Sequence, residues 1–136
     1  MTSEKREALL REPSIAVFGT VDSKGRPHAT PVWYLYDDGE ITISVGKGSQ
    51  KHRNVEANPN VSFVVDRRSL PPYAVMIQGT AEVGPPLSEE DHVRLAVRYL
   101  GEDLGKRYAA SAGTDESVTL RIRPGKVMEY DPTVRG

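Results

Sequence analysis

Short runs of β-branched and aromatic residues, separated by turns that contain glycine or proline, recur along most of the chain. Each run predicts a strand, because these side chains suit a pleated, half-buried surface. Residues 22–27 and 37–39 predict tight turns, so the first three strands are expected to form an antiparallel meander. The predicted strands are residues 15–21, 28–36, 40–45, 61–65 and 73–83, and a last strand in which Val118, Leu120 and Ile122 alternate with polar residues on the way to Tyr130.

Helical signals occupy the start of the chain and the segment between the third and fourth predicted strands. Residues 3–11 predict a short helix that stops before Pro13, since proline restricts the residue that precedes it. Residues 50–57 predict a second helix, for which Ser49 is the N-cap.

A third helix is predicted after the fifth strand. Ser88 is its N-cap, acidic residues follow in the first turn, and Gly101 ends it. Residues 109–115 are expected to form a loop before the last strand. Apolar residues recur at helical spacing and predict one packed face, formed by Val93, Ala96, Val97 and Leu100.

About six strands with helices between them and at the ends indicate a mainly β fold, an antiparallel sheet or small barrel with peripheral helices. The length of 136 residues predicts a single domain over residues 1–136. Pro31 places its strand at an edge or a bulge, because proline cannot donate to a ladder. Gly79 predicts a bulge within the fifth strand.

Composition excludes several classes of chemistry. The chain has no cysteine, so disulfides, thiolate metal sites and cysteine nucleophiles are excluded. The net charge of −1 argues against a nucleic-acid-binding protein, which needs a basic surplus. No apolar run approaches a membrane span and the first residues lack the apolar core of a signal peptide, so we expect a cytoplasmic protein. The three histidines lack metal-ligand spacing, and no metal is expected.

The segment from Gly46 to Asn54 is the strongest candidate for binding chemistry. Glycines allow close backbone approach to a ligand, and a helix N-terminus attracts anions. Ser49 adds a hydroxyl and Lys51 adds a cation in the first helical turn. The spacing of a P-loop is absent. Two interpretations stay open, namely a phosphate site and a solvated basic loop that connects strand to helix.

A second candidate is the strand segment around Pro31. An interrupted ladder leaves backbone groups free to bond a planar ligand, and Trp33 offers a surface for an aromatic ring. The alternative, which the residues alone favour, is that Trp33 and Tyr34 are ordinary core or interface aromatics.

Five motifs in a specific order carry a resemblance to a known family. They are D-x-x-G-x-P-H, TPVW, GSQK, NP-x-V-S and a strand that contains G-T-A, and they extend from about Ile15 to Val83. In this order they resemble the split β-barrel flavin and deazaflavin oxidoreductases, the relatives of pyridoxamine 5′-phosphate oxidase. The resemblance implies a split β-barrel of the FMN-binding type and a homodimer with two cofactor sites at the subunit interface.

The resemblance also assigns expected roles to particular residues. Thr30, Pro31, Val32 and Trp33 match the strand that borders the isoalloxazine-type ring. The cofactor phosphate is expected at the following loop and helix start, where the resemblance implies that it is bound by Ser49, Gln50 and Lys51. Asn54 is expected to face the same region, and Lys47 is expected to assist in binding an acidic tail of the cofactor.

Departures from the family pattern narrow the expected activity. Gln50 stands where the pyridoxamine phosphate oxidases have arginine, Ala29 and Ala74 replace an arginine and a glutamine, and the substrate-binding C-terminal tail is missing. Oxidation of pyridoxamine phosphate is therefore not expected. The Gly-Ser-Gln-Lys motif is similar to that of the family branch that uses the deazaflavin coenzyme F420. This coenzyme has a single phosphate and a polyglutamate tail.

The expected function is a reductase that transfers hydride from reduced F420 to a small organic acceptor. Two alternatives stay open: an FMN-dependent oxidoreductase, and a cofactor carrier without turnover. No side chain stands out as a proton donor, so no catalytic residue is named. The acceptor is expected to contact residues 67–73 and the C-terminal region of the partner chain, and neither nucleic acid nor membrane is an expected partner.

Overall fold

The computed structural model describes residues 4–134, which form four α-helices and seven β-strands. Ser3, the predicted start of the first helix, lies outside the described residues. The helices are α1 (Glu4–Arg11), α2 (Gln50–Ala57), α3 (Glu89–Leu100) and α4 (Glu102–Ser111). The strands are β1 (Ala16–Val21), β2 (Pro27–Val32), β3 (Leu35–Asp37), β4 (Glu40–Gly46), β5 (Asn60–Arg67), β6 (Tyr73–Gly84) and β7 (Ser117–Tyr130).

The strands form one antiparallel sheet in the order β2-β1-β5-β6-β7-β4-β3. β2 and β3 lie at opposite ends of this order, although only Trp33 and Tyr34 separate them along the chain. The sheet must therefore curl until its two edges approach each other at these residues, which produces a half-barrel. The expected mainly β, split-barrel fold is confirmed.

The predicted three-stranded meander is wrong in one respect, because residues 28–36 do not form one strand. Val32 still pairs with β1, whereas Leu35 pairs with β4. Tyr34 causes the break: its side chain is fully buried and its hydroxyl donates to the Leu10 carbonyl oxygen at 2.9 Å. Its backbone N–H donates to the Tyr99 hydroxyl instead of to a strand, at 3.1 Å.

The concave side of the sheet holds the main apolar core. Side chains from β1, β4, β5, β6 and β7 meet there with Leu9 and Leu10 of α1 and Val55 of α2. A second, smaller apolar cluster lies beside α3, where Leu35, Leu87 and Leu95 pack with Trp33 and Tyr99. This second cluster positions α3 at the place where the two sheet edges meet.

Several local predictions are confirmed. Pro31 lies on the edge strand β2, and the register of β6 against β7 shifts between Gln78 and Gly79. A Cβ on Gly79 would lie 2.2 Å from the Arg123 carbonyl oxygen, so the bulge requires glycine at this position. Ser49 and Ser88 cap α2 and α3 through their side-chain oxygens.

Helix α4 is the element that the sequence did not predict. Gly101 ends α3 as expected, but α4 begins at the next residue and extends into the loop expected at 109–115. Leu104 and Tyr108 are about half exposed, so α4 lacks the buried apolar stripe that a prediction needs. Gly105 lets α4 approach α3 closely, because a Cβ there would lie 2.6 Å from the Val97 Cα.

The predicted apolar face of α3 is only partly correct. Ala96 is buried, while Val93, Val97 and Leu100 are half-buried. Leu95, which the helical spacing placed off this face, is buried in the second cluster. The face that α3 presents to the sheet therefore differs from the predicted face, part of which is covered by α4.

Candidate functional site

A cavity of about 350 Å³ opens where the ends of β2 and β4 meet the first turn of α2 and the two C-terminal helices. None of the described residues that line it is acidic. Its apolar wall comes from β2, β4 and α3, and its polar groups come from β4, α2, α3 and α4. The lining residues are Pro31, Val32, Trp33, Ser44, Val45, Gly46, Lys51, His92, Leu95, Ala96 and Tyr108.

Lys51 is the cation of this cavity. It is half-buried, and within residues 4–134 its ammonium has neither an acidic partner nor a hydrogen bond. Over the same part of the chain, the backbone N–H groups of Gln50 and Lys51 have no acceptor, as expected for a first helical turn. An unpaired ammonium beside free N–H groups at a helix N-terminus is suited to bind an anion.

The loop that precedes α2 is held by side chains of the helix itself. The Gly48 N–H donates to His52 Nδ1 at 2.9 Å, and the Arg53 guanidinium donates to the Gly48 carbonyl oxygen at 2.8 Å. Ser49 Oγ accepts the His52 N–H at 3.4 Å. These contacts fix the loop before any ligand binds, so little ordering is required on binding.

Gln50 and Asn54 take part in a hydrogen-bond chain. Gln50 donates to Asn54 Oδ1 at 2.6 Å and accepts from Arg53 at 2.8 Å, and Asn54 donates to Thr20 Oγ1 at 3.0 Å. Asn54 is 2% exposed. These hydrogen bonds attach α2 to β1, and they satisfy the polar groups of Gln50 and Asn54 within the protein.

The strand segment predicted to border a ring forms the opposite wall. Pro31, Val32 and Trp33 all line the cavity. Thr30 Oγ1 is buried and has no hydrogen-bond partner within residues 4–134, which is costly unless a ligand or another chain supplies one. Trp33 stacks on Tyr99 and also lines the cavity, so it is both a packed aromatic and a wall of the site.

Four of the nine predicted binding residues line this cavity together: Pro31, Val32, Trp33 and Lys51. The other five do not line it: Thr30, Lys47, Ser49, Gln50 and Asn54. Lys47 is exposed, and its backbone N–H donates to the Glu116 carbonyl oxygen at 2.9 Å. The roles of all nine residues stay predictions.

Sequence reasoning missed the contribution of the C-terminal helices. His92 of α3 and Tyr108 of α4 add two polar side chains to the cavity, and His92 Nε2 lies 2.8 Å from the Ala112 carbonyl oxygen. Neither residue belongs to a spacing motif, and α4 itself was not predicted. Only the packing of α3 and α4 over the sheet edges shows that these side chains face Lys51 across one space.

Arg98 and Tyr99 hold α3 in this position. The Arg98 guanidinium donates to the carbonyl oxygens of Leu10, Arg11 and Glu12 at 2.7–3.1 Å, and thus bonds the C-terminal end of α1. The same guanidinium lies 4.8 Å from the ring centroid of Tyr34, whose hydroxyl has its pKa raised by burial.

Asp22 organises the turn that leads into β2. Its carboxylate accepts the backbone N–H groups of Lys24 and Arg26, and it also bonds the side chains of Arg26 and His28. The hydrogen bond from the Arg26 backbone is the main reason that the pKa of Asp22 lies well below its usual range, and His28 adds to it. The D-x-x-G-x-P-H motif is therefore a turn that positions the start of β2.

Residues 4–134 hold neither a candidate metal centre nor a helix that could span a membrane. No group of three or more histidine or acidic side chains is placed to hold a metal ion there. No helix in that range has the length and apolar character to cross a membrane.

The curated relatives of the chain include proteins of two kinds. The chain is 36% identical over 91 residues to the 5a,11a-dehydrotetracycline/5a,11a-dehydrooxytetracycline reductase of Streptomyces rimosus, which covers 61% of the chain and 64% of the relative. It is 33% identical over 123 residues to the pyridoxine/pyridoxamine 5′-phosphate oxidase of Rubrobacter xylanophilus, covering 88% of the chain and 55% of the relative. The chain thus spans less than two thirds of the length of these relatives.

Solved structures share the fold over nearly the whole chain. The conserved hypothetical protein Rv2991 of Mycobacterium tuberculosis matches with a TM-score of 0.77 at 26% identity, covering 96% of this chain and 86% of that one. An F420 reductase matches with a TM-score of 0.77 at 23% identity, covering 93% and 98%. The family model of pyridoxamine 5′-phosphate oxidase matches residues 2–131. The chain therefore belongs to the pyridoxamine 5′-phosphate oxidase family.

Proposed function

We propose that this protein is a reductase that binds the deazaflavin coenzyme F420 and passes hydride from its reduced form to a small organic acceptor. One observation carries the proposal: the unpaired Lys51 and the segment Pro31–Val32–Trp33 line a single cavity. A cation for a phosphate and an apolar wall for a planar ring are the two elements that such a cofactor requires. The Streptomyces relative, a reductase by name, supports the direction of the reaction.

The charges of the cavity support a cofactor with one phosphate. Among the lining residues that belong to the described part of the chain, Lys51 is the one permanently cationic side chain. Gln50, which stands at the arginine position of the pyridoxamine phosphate oxidases, is already bonded to Arg53 and Asn54. One ammonium and the N–H groups of one helix turn suit the single negative charge of the F420 phosphodiester better than the more highly charged phosphate of FMN.

Ring binding is assigned to the apolar wall of the cavity. Val32 and Trp33 provide the apolar contact, and Pro31 lies beside them on the edge strand β2. Thr30 stays a predicted ring neighbour: its hydroxyl lacks a partner within residues 4–134, but it is buried and does not line the cavity. When bound, the reduced deazaflavin supplies the hydride, and the protein's own contribution is to orient the two planar molecules and to exclude water.

A homodimer is part of the proposal, because an apolar row crosses the convex face of the sheet. Pro31 pairs with Val17, Val17 with Val64, Val64 with Met76, and Met76 with Met128. Val17 is 44% exposed and Pro31 is exposed. Such a contiguous row is typical of a surface that a second copy covers. Because Pro31 belongs to both the row and the cavity, a partner on this face would border the cofactor site.

Titration of the purified protein with F420 and with FMN tests the cofactor, with fluorescence as the readout. We expect F420 to bind more tightly than FMN, and bound F420H2 to be oxidised when an activated enone acceptor is added. A clear preference for FMN would show that FMN, and not F420, is the cofactor. Tight binding of F420 with no oxidation by any member of an acceptor panel would instead identify a cofactor carrier.

A further inference from the structure

The cavity holds a histidine that has no role in the proposed function. His92, in the first turn of α3, lines the same space as Lys51, and the lining contributed by residues 4–134 contains no carboxylate. Two nitrogen bases from different helices that face one cavity without an acidic partner are arranged to share an anion.

The hydrogen bond of His92 defines what this side chain can offer. Its Nε2 lies 2.8 Å from the Ala112 carbonyl oxygen, and a carbonyl can only accept, so Nε2 carries a proton. A neutral imidazole then presents a lone pair at Nδ1, which repels an anion. A protonated imidazole presents an Nδ1–H, which donates to an anion.

The geometry points to His92 as a second anion ligand of the Lys51 site, one that binds the phosphate only when its ring is protonated. This inference rests on the proposed phosphate site at Lys51. Binding of the anion should therefore take up a proton at neutral and alkaline pH, and affinity should fall as the pH rises. The protonated His92 ring supplies a positive charge that compensates for the missing arginine, whose position is occupied by Gln50 in this chain.

Charged and titratable groups reach the surroundings of His92 from several elements, and the connection at residues 112–116, which His92 contacts through the Ala112 carbonyl oxygen, carries Asp115 and Glu116. Lys51 of α2 and Tyr108 of α4 face it from across the cavity, and the lining residues of β2 and β4 contribute no ionisable side chain. On its own helix, Glu89 lies one turn earlier, and the adjacent Asp91 is paired with Arg94 at 2.7 Å.

The test uses sulfate as the probe on the cofactor-free protein, because sulfate keeps its charge across the histidine range. Calorimetric titration between about pH 5.5 and 8.5, in two buffers of different ionisation enthalpy, gives both the affinity and the number of protons taken up. For the wild type we expect the dissociation constant to rise by about tenfold or more over this range, with proton uptake that approaches one per sulfate.

Two variants locate the effect. His92→Gln should bind sulfate with an affinity that changes by less than about twofold over the same range, without proton uptake. His28→Gln is the matched control, since His28 lies at the Asp22 turn and does not line the cavity; it should behave as the wild type does. The His92 ring resonances of the wild type should shift on sulfate addition, which provides a readout independent of any variant's folding.

A pH-dependent affinity that persists in His92→Gln, sulfate binding without proton uptake, or no sulfate binding at all would overturn the inference. The outcome is separable from that of the proposed function. Sulfate binding that depends on His92, combined with no binding of F420, would leave the anion site standing and remove the cofactor assignment. F420 binding with an affinity independent of pH would leave the cofactor assignment standing and remove His92 as an anion ligand.

Discussion

The indole of Trp33 stacks on the ring of Tyr99, with centroids 4.9 Å apart and planes 6° from parallel. Trp33 belongs to the two-residue connection between the edge strands β2 and β3, whereas Tyr99 lies near the end of α3. The contact therefore joins the closing point of the curled sheet to the helix that covers it. Since Trp33 also lines the cavity, the packing of α3 determines the shape of the candidate site.

Tyr99→Phe should destabilise the fold at this closing point. The Tyr99 hydroxyl accepts the Tyr34 N–H at 3.1 Å and donates to the Ser14 carbonyl oxygen at 2.8 Å. Removing it leaves two backbone groups unpaired, and we expect the free energy of unfolding to fall by about 1–3 kcal/mol in urea denaturation. Tyr108→Phe is the control, because the Tyr108 hydroxyl makes no hydrogen bond within residues 4–134. An equal loss of unfolding free energy in Tyr108→Phe would contradict the stabilising role of the Tyr99 hydrogen bonds.

Lys51→Ala should weaken cofactor binding by about 1.5–3 kcal/mol, the scale of a hydrogen bond to a charged group, which is roughly 10- to 150-fold in affinity. Fluorescence titration with F420 measures it. Lys24→Ala, in the exposed turn between β1 and β2, removes the same charge away from the cavity and should leave affinity nearly unchanged. An unchanged affinity in Lys51→Ala would exclude Lys51 from the site.

Asp22→Asn should destabilise the protein at neutral pH and much less in acid. The folded protein holds the pKa of Asp22 below its ordinary value, so the ionised carboxylate stabilises the fold above the unfolded-state pKa of about 4. This contribution is lost as the pH falls through the folded-state pKa. Urea midpoints of the wild type and the variant should therefore differ at pH 7 and converge progressively below about pH 4. A difference that is independent of pH would show that the charge is not responsible.

Val17→Glu should convert the proposed dimer to a monomer. The substitution places a charge within the apolar row on the convex face, where a second copy would have to desolvate it. Light scattering coupled to size exclusion measures the mass. Leu104→Glu is the control, since Leu104 is similarly exposed but lies on α4, away from this row. A wild-type protein that is monomeric would reject the dimer itself.

Local signals were sufficient for most elements of the fold. The caps at Ser49 and Ser88, the bulge at Gly79 and the edge position of Pro31 follow from the conformational or hydrogen-bonding limits of single residues. They were predictable because each depends on chemistry within a few positions along the chain.

The break at Tyr34 and the existence of α4 were not predictable in the same way. Residues 28–36 carry strand propensity throughout, and the break arises because distant groups, Leu10 and Tyr99, bond Tyr34 in place of a strand partner. Helix α4 depends on the close approach of Gly105 to Val97 and not on an apolar stripe of its own. Tertiary contacts overrode local propensity in both cases.

The alternation of apolar and polar residues by itself determined that this chain is a mainly β protein, and its short motifs singled out Lys51 and the segment that contains Pro31. The tertiary structure alone decided that these two candidates share one cavity and that His92 and Tyr108 complete it. The physical reason is the curl of the sheet: Trp33 and Tyr34 connect its opposite edges, and the helices that cover this junction add side chains that no spacing along the chain relates to Lys51.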